Sequence, residues 1–145
     1  KPRQRWPVER FAALARQLHA TYDCGFLLFW SPGAADDPLH PGDDAKAAEL
    51  VAQTHDLPLA AVPTHELAEL VAGLALCDAV ICADGGAMHI AAGLGKPMVC
   101  FFGNSDAARW HPWGVPHVLL QPTSRDVADI SVAEVLAAWR QLPVV

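Results

Sequence analysis

Short runs of continuously apolar residues recur along this chain, and each leads through a polar or glycine-rich stretch into a helical pattern. Gly25-Phe26-Leu27-Leu28-Phe29-Trp30, Ala79-Val80-Ile81-Cys82-Ala83 and Met98-Val99-Cys100-Phe101-Phe102 are the clearest. Runs of this length without alternation predict strands covered on both faces, as in a parallel sheet between helices. The segments between them supply the helices. Trp6-Pro7 opens one whose Phe11, Leu14, Ala15 and Leu18 share a face, with proline suited to a first helical turn. Asp43 to His55 reads as a second, and Thr64 is placed to cap a third that carries Leu67, Leu70, Val71 and Leu74 and runs to Cys77. Met88 to Leu94, ended by Gly95, is a short fourth, and Val132 to Leu142 is the last. Leu59 to Val62 and His117 to Leu120 add shorter apolar pieces. The fold class is α/β: a Rossmann-like parallel sheet with helices on both faces. Ligands of such sheets bind at the carboxyl ends of strands, so the loops Ser31 to Gly42, Asp84 to Ala87 and Gly103 to Gly114 are predicted to line one edge.

The most specific of these loops is Asp84-Gly85-Gly86-Ala87-Met88-His89, set between a strand and a helix of small residues. Two glycines allow a sharp turn and a close ligand approach, and the helix presents unpaired N–H groups where its dipole favours an anion. His89, one turn in, adds a donor. The same residues also suit a plain strand-to-helix turn with Asp84 as its cap and His89 as a packed histidine, so the turn alone leaves both readings open. In the loop from Gly103, Arg109 and His111 are further candidates to approach a ligand, and Trp110 to stack on one.

Composition narrows the choice. At 145 residues and 52% hydrophobic content, the chain can bury a full core and is expected to form a single domain over residues 1–145. Net charge is −6, and Lys1, Arg3 and Arg5 form the one basic cluster, which argues against a nucleic-acid surface. Apolar stretches are interrupted well short of a membrane span, and no signal-peptide pattern opens the chain. Cys24, Cys77, Cys82 and Cys100 show no Cys-x-x-Cys pairing and are read as free thiols of a reducing compartment; no metal site and no cofactor are expected. A dinucleotide fingerprint Gly-x-Gly-x-x-Gly is missing, which removes a Rossmann oxidoreductase. The first helix has no strand before it, so the chain reads as cut from a longer one at its N-terminus.

Taken together, Arg5-Trp6-Pro7 at a helix start, Asp84-Gly85-Gly86-Ala87-Met88-His89-Ile90-Ala91-Ala92 after a strand, and Phe102-Gly103-Asn104-Ser105-Asp106 with Arg109-Trp110 and Pro112 resemble glycosyltransferase family 9, the lipopolysaccharide heptosyltransferases. The motifs span nearly the whole chain and match the C-terminal, donor-binding half of a two-domain GT-B enzyme. The resemblance implies metal-independent transfer of a sugar, typically heptose from ADP-heptose, onto the lipopolysaccharide inner core, with the ADP-sugar as substrate rather than cofactor. It puts Asp84, Gly85, Gly86 and His89, with Ala87 and Met88 between them, on the donor diphosphate. It assigns the donor ribose to one of Asp36, Asp37, Asp43 or Asp44, and the adenine to the backbone at Thr64 or His65. Two positions depart from the family pattern. Gly85 stands where Thr or Ser is usual, and Gln4 stands where a lysine commonly reaches the phosphates, leaving Arg3 or Arg5 to supply that charge.

The same resemblance assigns the base that deprotonates the acceptor to an N-terminal domain outside these residues, so the chain is expected to bind donor without turning it over. It implies a bacterial cytoplasmic enzyme meeting its lipopolysaccharide acceptor through that domain, with peripheral contact at the inner membrane. The alternatives are another GT-B sugar-nucleotide enzyme, such as a UDP-sugar epimerase, or a non-catalytic nucleotide-binding module.

Overall fold

The structure is a computed structural model that describes residues 2–143. Val8–Gly73 form one compact unit; the other described residues, up to Pro7 and from Leu74, form a second. In the first unit, α1 (Val8–Tyr22), β1 (Phe26–Trp30), α2 (Asp44–Gln53) and β2 (Leu59–Pro63) follow in order, and α3 (Leu67–Ala75) carries the boundary. β1 and β2 pair in parallel, with Phe26 opposite Leu59 and Trp30 opposite Pro63. Val8, Ala12 and Leu50 make a buried cluster joined by Phe11 and Leu28, which seats one face of α1 on α2 and β1. At the rim, the Arg16 guanidinium donates to Asp56 at 2.7 Å and to the Gln53 carbonyl at 2.6 Å. That hydrogen bond draws the Asp56 carboxyl down to about 2.

The second unit contains β3 (Val80–Ala83), α4 (Gly86–Gly93), β4 (Met98–Phe101), α5 (Ala107–Trp110), β5 (His117–Leu120) and α6 (Val132–Arg140). Single 3₁₀ turns at Pro2–Gln4 and Val127–Asp129 complete it. The three strands pair in parallel in the order β3-β4-β5, with Val80 opposite Met98 and Met98 opposite His117. Central β4 is buried at every residue, which accounts for its unbroken apolar sequence. Trp6 is 1% exposed: its ring lies 5.1 Å from that of Phe101, and its Nε1 donates to the Ile130 carbonyl at 2.8 Å. Burial satisfies both parts of this amphipathic side chain. Cys82 and Cys100 are register partners on β3 and β4. Burial, with a neighbouring negative charge at Asp84 as a lesser cause, pushes both thiols up to about 12.

Strand and helix alternate and every strand pairing is parallel, as the sequence predicts, in two hydrogen-bonded ladders rather than one. Thr64 does not cap α3. Its hydroxyl and its N–H both donate to the Trp30 carbonyl at 3.0 Å, prolonging the β1–β2 ladder, and the helix starts at Leu67. The one-turn helix α5 has no apolar period to announce it; the Asp106 side chain starts it by accepting from the Arg109 N–H at 3.3 Å. Among the described residues, no helix is long and apolar enough to cross a membrane.

Candidate functional site

β3 delivers the chain to the Asp84 turn. The Asp84 N–H continues the ladder by donating to the Phe101 carbonyl at 2.9 Å, and Gly85 then takes the position before α4. No side chain caps this helix. The contrast with α6 is direct, since there Ser131 and Glu134 close a reciprocal capping box at 3.1 and 2.7 Å. Asp84 is thus not the cap that one reading of the sequence assigned to it. The first-turn amides of Gly86, Ala87 and Met88 are left pointing out of the helix end, where the dipole favours negative charge.

Of the two roles the sequence suggests for the glycines, a sharp turn and an open approach, the structure fits the second and not the first. Gly85 has φ 162°, extended backbone that any residue adopts, and Gly86 is helical, so neither is demanded by the turn. A Cβ placed on either would meet nothing within 4 Å. What they provide is an open face over the helix end. Met88 is fully buried, so its side chain anchors α4 in the core and only its amide belongs to that face. His89 is exposed, with its ring edge-on to Trp110 at 6.3 Å, and the Arg109 guanidinium lies 5.1 Å over the same indole.

The Asp84 carboxylate meets a residue that the sequence reading treated as a departure. Gln4 Nε2 donates to Asp84 Oδ2 at 3.3 Å and to Ser105 Oγ at 2.9 Å. Gln121 Nε2 in turn donates to the carbonyls of Gly103 and Ser105, each at 2.9 Å. Gln4, Ser105 and Gln121 were not read as site residues; the available signals were the position of Gln4, two before Trp6, and that of Ser105 within the motif Phe102 to Asp106. Arg5 is exposed beside Gln4, whereas the Arg3 guanidinium donates to the Ser124 carbonyl at 3.2 Å. His111 stacks between Trp113 and His117, with centroids at 6.0 and 5.8 Å.

The structure gathers Asp84, Gly85, Gly86, Ala87, Met88 and His89 at one strand-to-helix junction, with Arg5 in the same unit. Asp43, Thr64 and His65 belong to the unit Val8–Gly73. Asp43 precedes α2, and its N–H donates to the Ser31 carbonyl at 2.9 Å. Thr64 and His65 follow β2, His65 exposed. Of the other acidic residues, Asp44 accepts from Trp30 Nε1 at 2.8 Å. Asp37 accepts from the amides of Leu39 and His40 at 2.9 Å, bonds that hold its carboxyl below the usual range. Both therefore serve local structure. Among the described residues, no group of three or more His, Cys, Asp or Glu side chains is placed to hold a metal ion.

The sequence pattern of glycosyltransferase family 9 (heptosyltransferase) matches residues 1–132. The chain belongs to that family. Family 9 relatives include lipopolysaccharide heptosyltransferase 2 of Escherichia coli K12, 34% identical over 106 residues that make up 72% of this chain and 28% of the relative. Lipooligosaccharide heptosyltransferase 2 of Haemophilus influenzae is 33% identical over 102 residues, 70% of this chain and 28% of its own length. The fold is that of a family 9 glycosyltransferase from Veillonella parvula, with a TM-score of 0.80 at 22% identity over 97% of this chain and 42% of that one. The E. coli ADP-heptose lipopolysaccharide heptosyltransferase II gives a TM-score of 0.78 at 25% identity over 96% of this chain and 42% of that one. The chain spans about 28% of the length of the curated family 9 relatives it matches.

Proposed function

We propose that these residues form the donor-binding part of a glycosyltransferase that moves heptose from ADP-heptose to a lipopolysaccharide inner-core acceptor. The observation that carries the reading is the uncapped start of α4 beneath the open face of Gly85 and Gly86, at the motif through which the chain resembles its family. Cleaving a sugar from a nucleoside diphosphate builds negative charge on the leaving phosphate, and fixed N–H donors aimed at that charge lower the barrier without reorganising. The helix end supplies about half a positive charge. His89, exposed within the first turn and a half of α4, adds a donor to the same anion, and Arg5 adds charge from the neighbouring segment. Asp43 is the candidate for the ribose, and the backbone at Thr64 and His65 for the adenine. The relatives' names support ADP-heptose as donor, since one related structure is described as an ADP-heptose heptosyltransferase and another was solved with ADP. The ADP-sugar is consumed as substrate, and this reading calls for no metal or cofactor. It places the work in the bacterial cytoplasm, at the inner face of the membrane that carries the acceptor.

Calorimetric titration with ADP, UDP and NADH in parallel tests the proposal. Binding of ADP in preference to UDP and NADH, weakened in His89→Ala by about tenfold or more as for loss of a hydrogen bond to a charged group, is the expected result. Preference for UDP points instead to another sugar-nucleotide enzyme. An unchanged affinity in His89→Ala removes that residue from the site.

A further inference from the structure

We propose that Gln4 is a positioning residue, which couples the Asp84 turn to the loop between β4 and α5 through one amide nitrogen. An ionised carboxylate only accepts hydrogen bonds, so Asp84 requires that Gln4 present its NH2 group, and this settles which end of the amide faces the turn. That group has two hydrogens and two acceptors: Asp84 Oδ2 at 3.3 Å and Ser105 Oγ at 2.9 Å. Asp84 lies 80 residues from Gln4 along the chain and Ser105 lies 101, so these bonds join three segments distant in sequence.

Both neighbours of Gln4 in this network are themselves fixed. Gln121, just past β5, clamps the loop by donating to the carbonyls of Gly103 and Ser105. Buried Gly103 receives the Arg3 carbonyl so closely that a methyl group there would overlap it, which locates the 3₁₀ turn carrying Gln4. Asp84 is bound through its N–H to Phe101 at the end of β4. Gln4 is therefore the side chain through which a displacement of Ser105 reaches Asp84 and the first turn of α4.

The coupling itself can be read without any nucleotide, and its consequence for affinity rests on the donor-binding reading above. Amide chemical shifts are recorded by NMR for the wild-type chain, Ser105→Ala, Gln4→Leu and the double variant. Ser105→Ala is expected to shift the amides from Asp84 to Ala87 in the wild-type background and to leave them unmoved in the Gln4→Leu background. Equal shifts in both backgrounds, or none in either, overturn the proposal. ADP titration of the same samples then asks what the coupling does. Gln4→Leu is expected to weaken binding about tenfold, as for loss of a hydrogen bond to a charged group, while Gln4→Lys, which keeps donors for both acceptors, retains affinity. Equal ADP affinity in wild type and Gln4→Leu overturns the positioning role. If wild type binds no ADP but the shifts depend on Gln4, the donor reading fails and the coupling stands.

Discussion

Trp6 and Ile130 are held together by a 2.8 Å hydrogen bond from the indole Nε1 to the backbone carbonyl, across 124 residues of sequence. The bond fastens the segment before α1 to the turn that leads into α6, and it does so inside the core. Trp6→Phe keeps most of the apolar contact with Phe101 and removes the donor. It is expected to cost about 1–3 kcal/mol, the range for removing one partner of a buried hydrogen bond, with a further loss from the smaller ring. Urea unfolding of the two proteins measures it; a difference below a few tenths of a kcal/mol contradicts the assignment.

Gly86→Val separates ligand approach from folding. A Cβ at this position meets no atom within 4 Å, and valine is no worse than glycine in a helix, so helix content and melting temperature are expected to stay near wild type. Affinity for ADP should fall by at least about tenfold, because the branched side chain covers the helix end. Circular dichroism alongside calorimetry checks both halves, and retained binding would make the turn merely structural.

Gly103→Ala should do the opposite. An added methyl overlaps the Arg3 carbonyl, and backbone cannot yield as a flexible side chain does. Destabilisation of about 1–3 kcal/mol is expected for such overpacking, accompanied by displacement of Gln4 and weaker ADP binding. Thermal melts and amide shifts at Asp84 follow the two effects.

The Arg16–Asp56 pair gives the unit Val8–Gly73 a defined acid response. Asp56 titrates at about 2 when folded, against an ordinary value of 3.8, so its stabilising contribution is complete above the higher value. It is lost as pH falls through the lower one. The stability difference between wild type and Asp56→Asn should accordingly be constant from pH 5 to 7 and shrink steadily between pH 4 and 2. Denaturant titrations across that range test the window. A difference that grows on acidification reverses the sign and the assignment with it.

Sequence made some parts of this protein plain and hid others for physical reasons. β4 is legible because a strand covered on both faces has no solvent face to alternate with, and β5 appears from His117 to Leu120 as the pattern predicts. The start of α3 is misread because a threonine hydroxyl serves a helix or a neighbouring strand equally well, and only the fold places the Trp30 carbonyl within its reach. The Asp84 to His89 turn is visible as a local motif, yet which of the two reasons for its glycines applies, turning or open approach, is not. Backbone angles show that they answer to the space above them rather than to the turn. Gln4 is the hardest case, since a hydrogen bond across 80 residues leaves no periodic trace in either segment.

Cys100 turns the β3–β4 ladder into a clock. A thiol at about 12 is ionised at pH 7 in only about one molecule in 10⁵, and Cys100 has no accessible surface, so an alkylating reagent waits for the strands to part. The labelling rate of Cys100 therefore counts openings of the sheet from which the Asp84 turn projects. Measured with and without nucleotide, it tells whether a ligand at the end of α4 also restrains the strand beneath it.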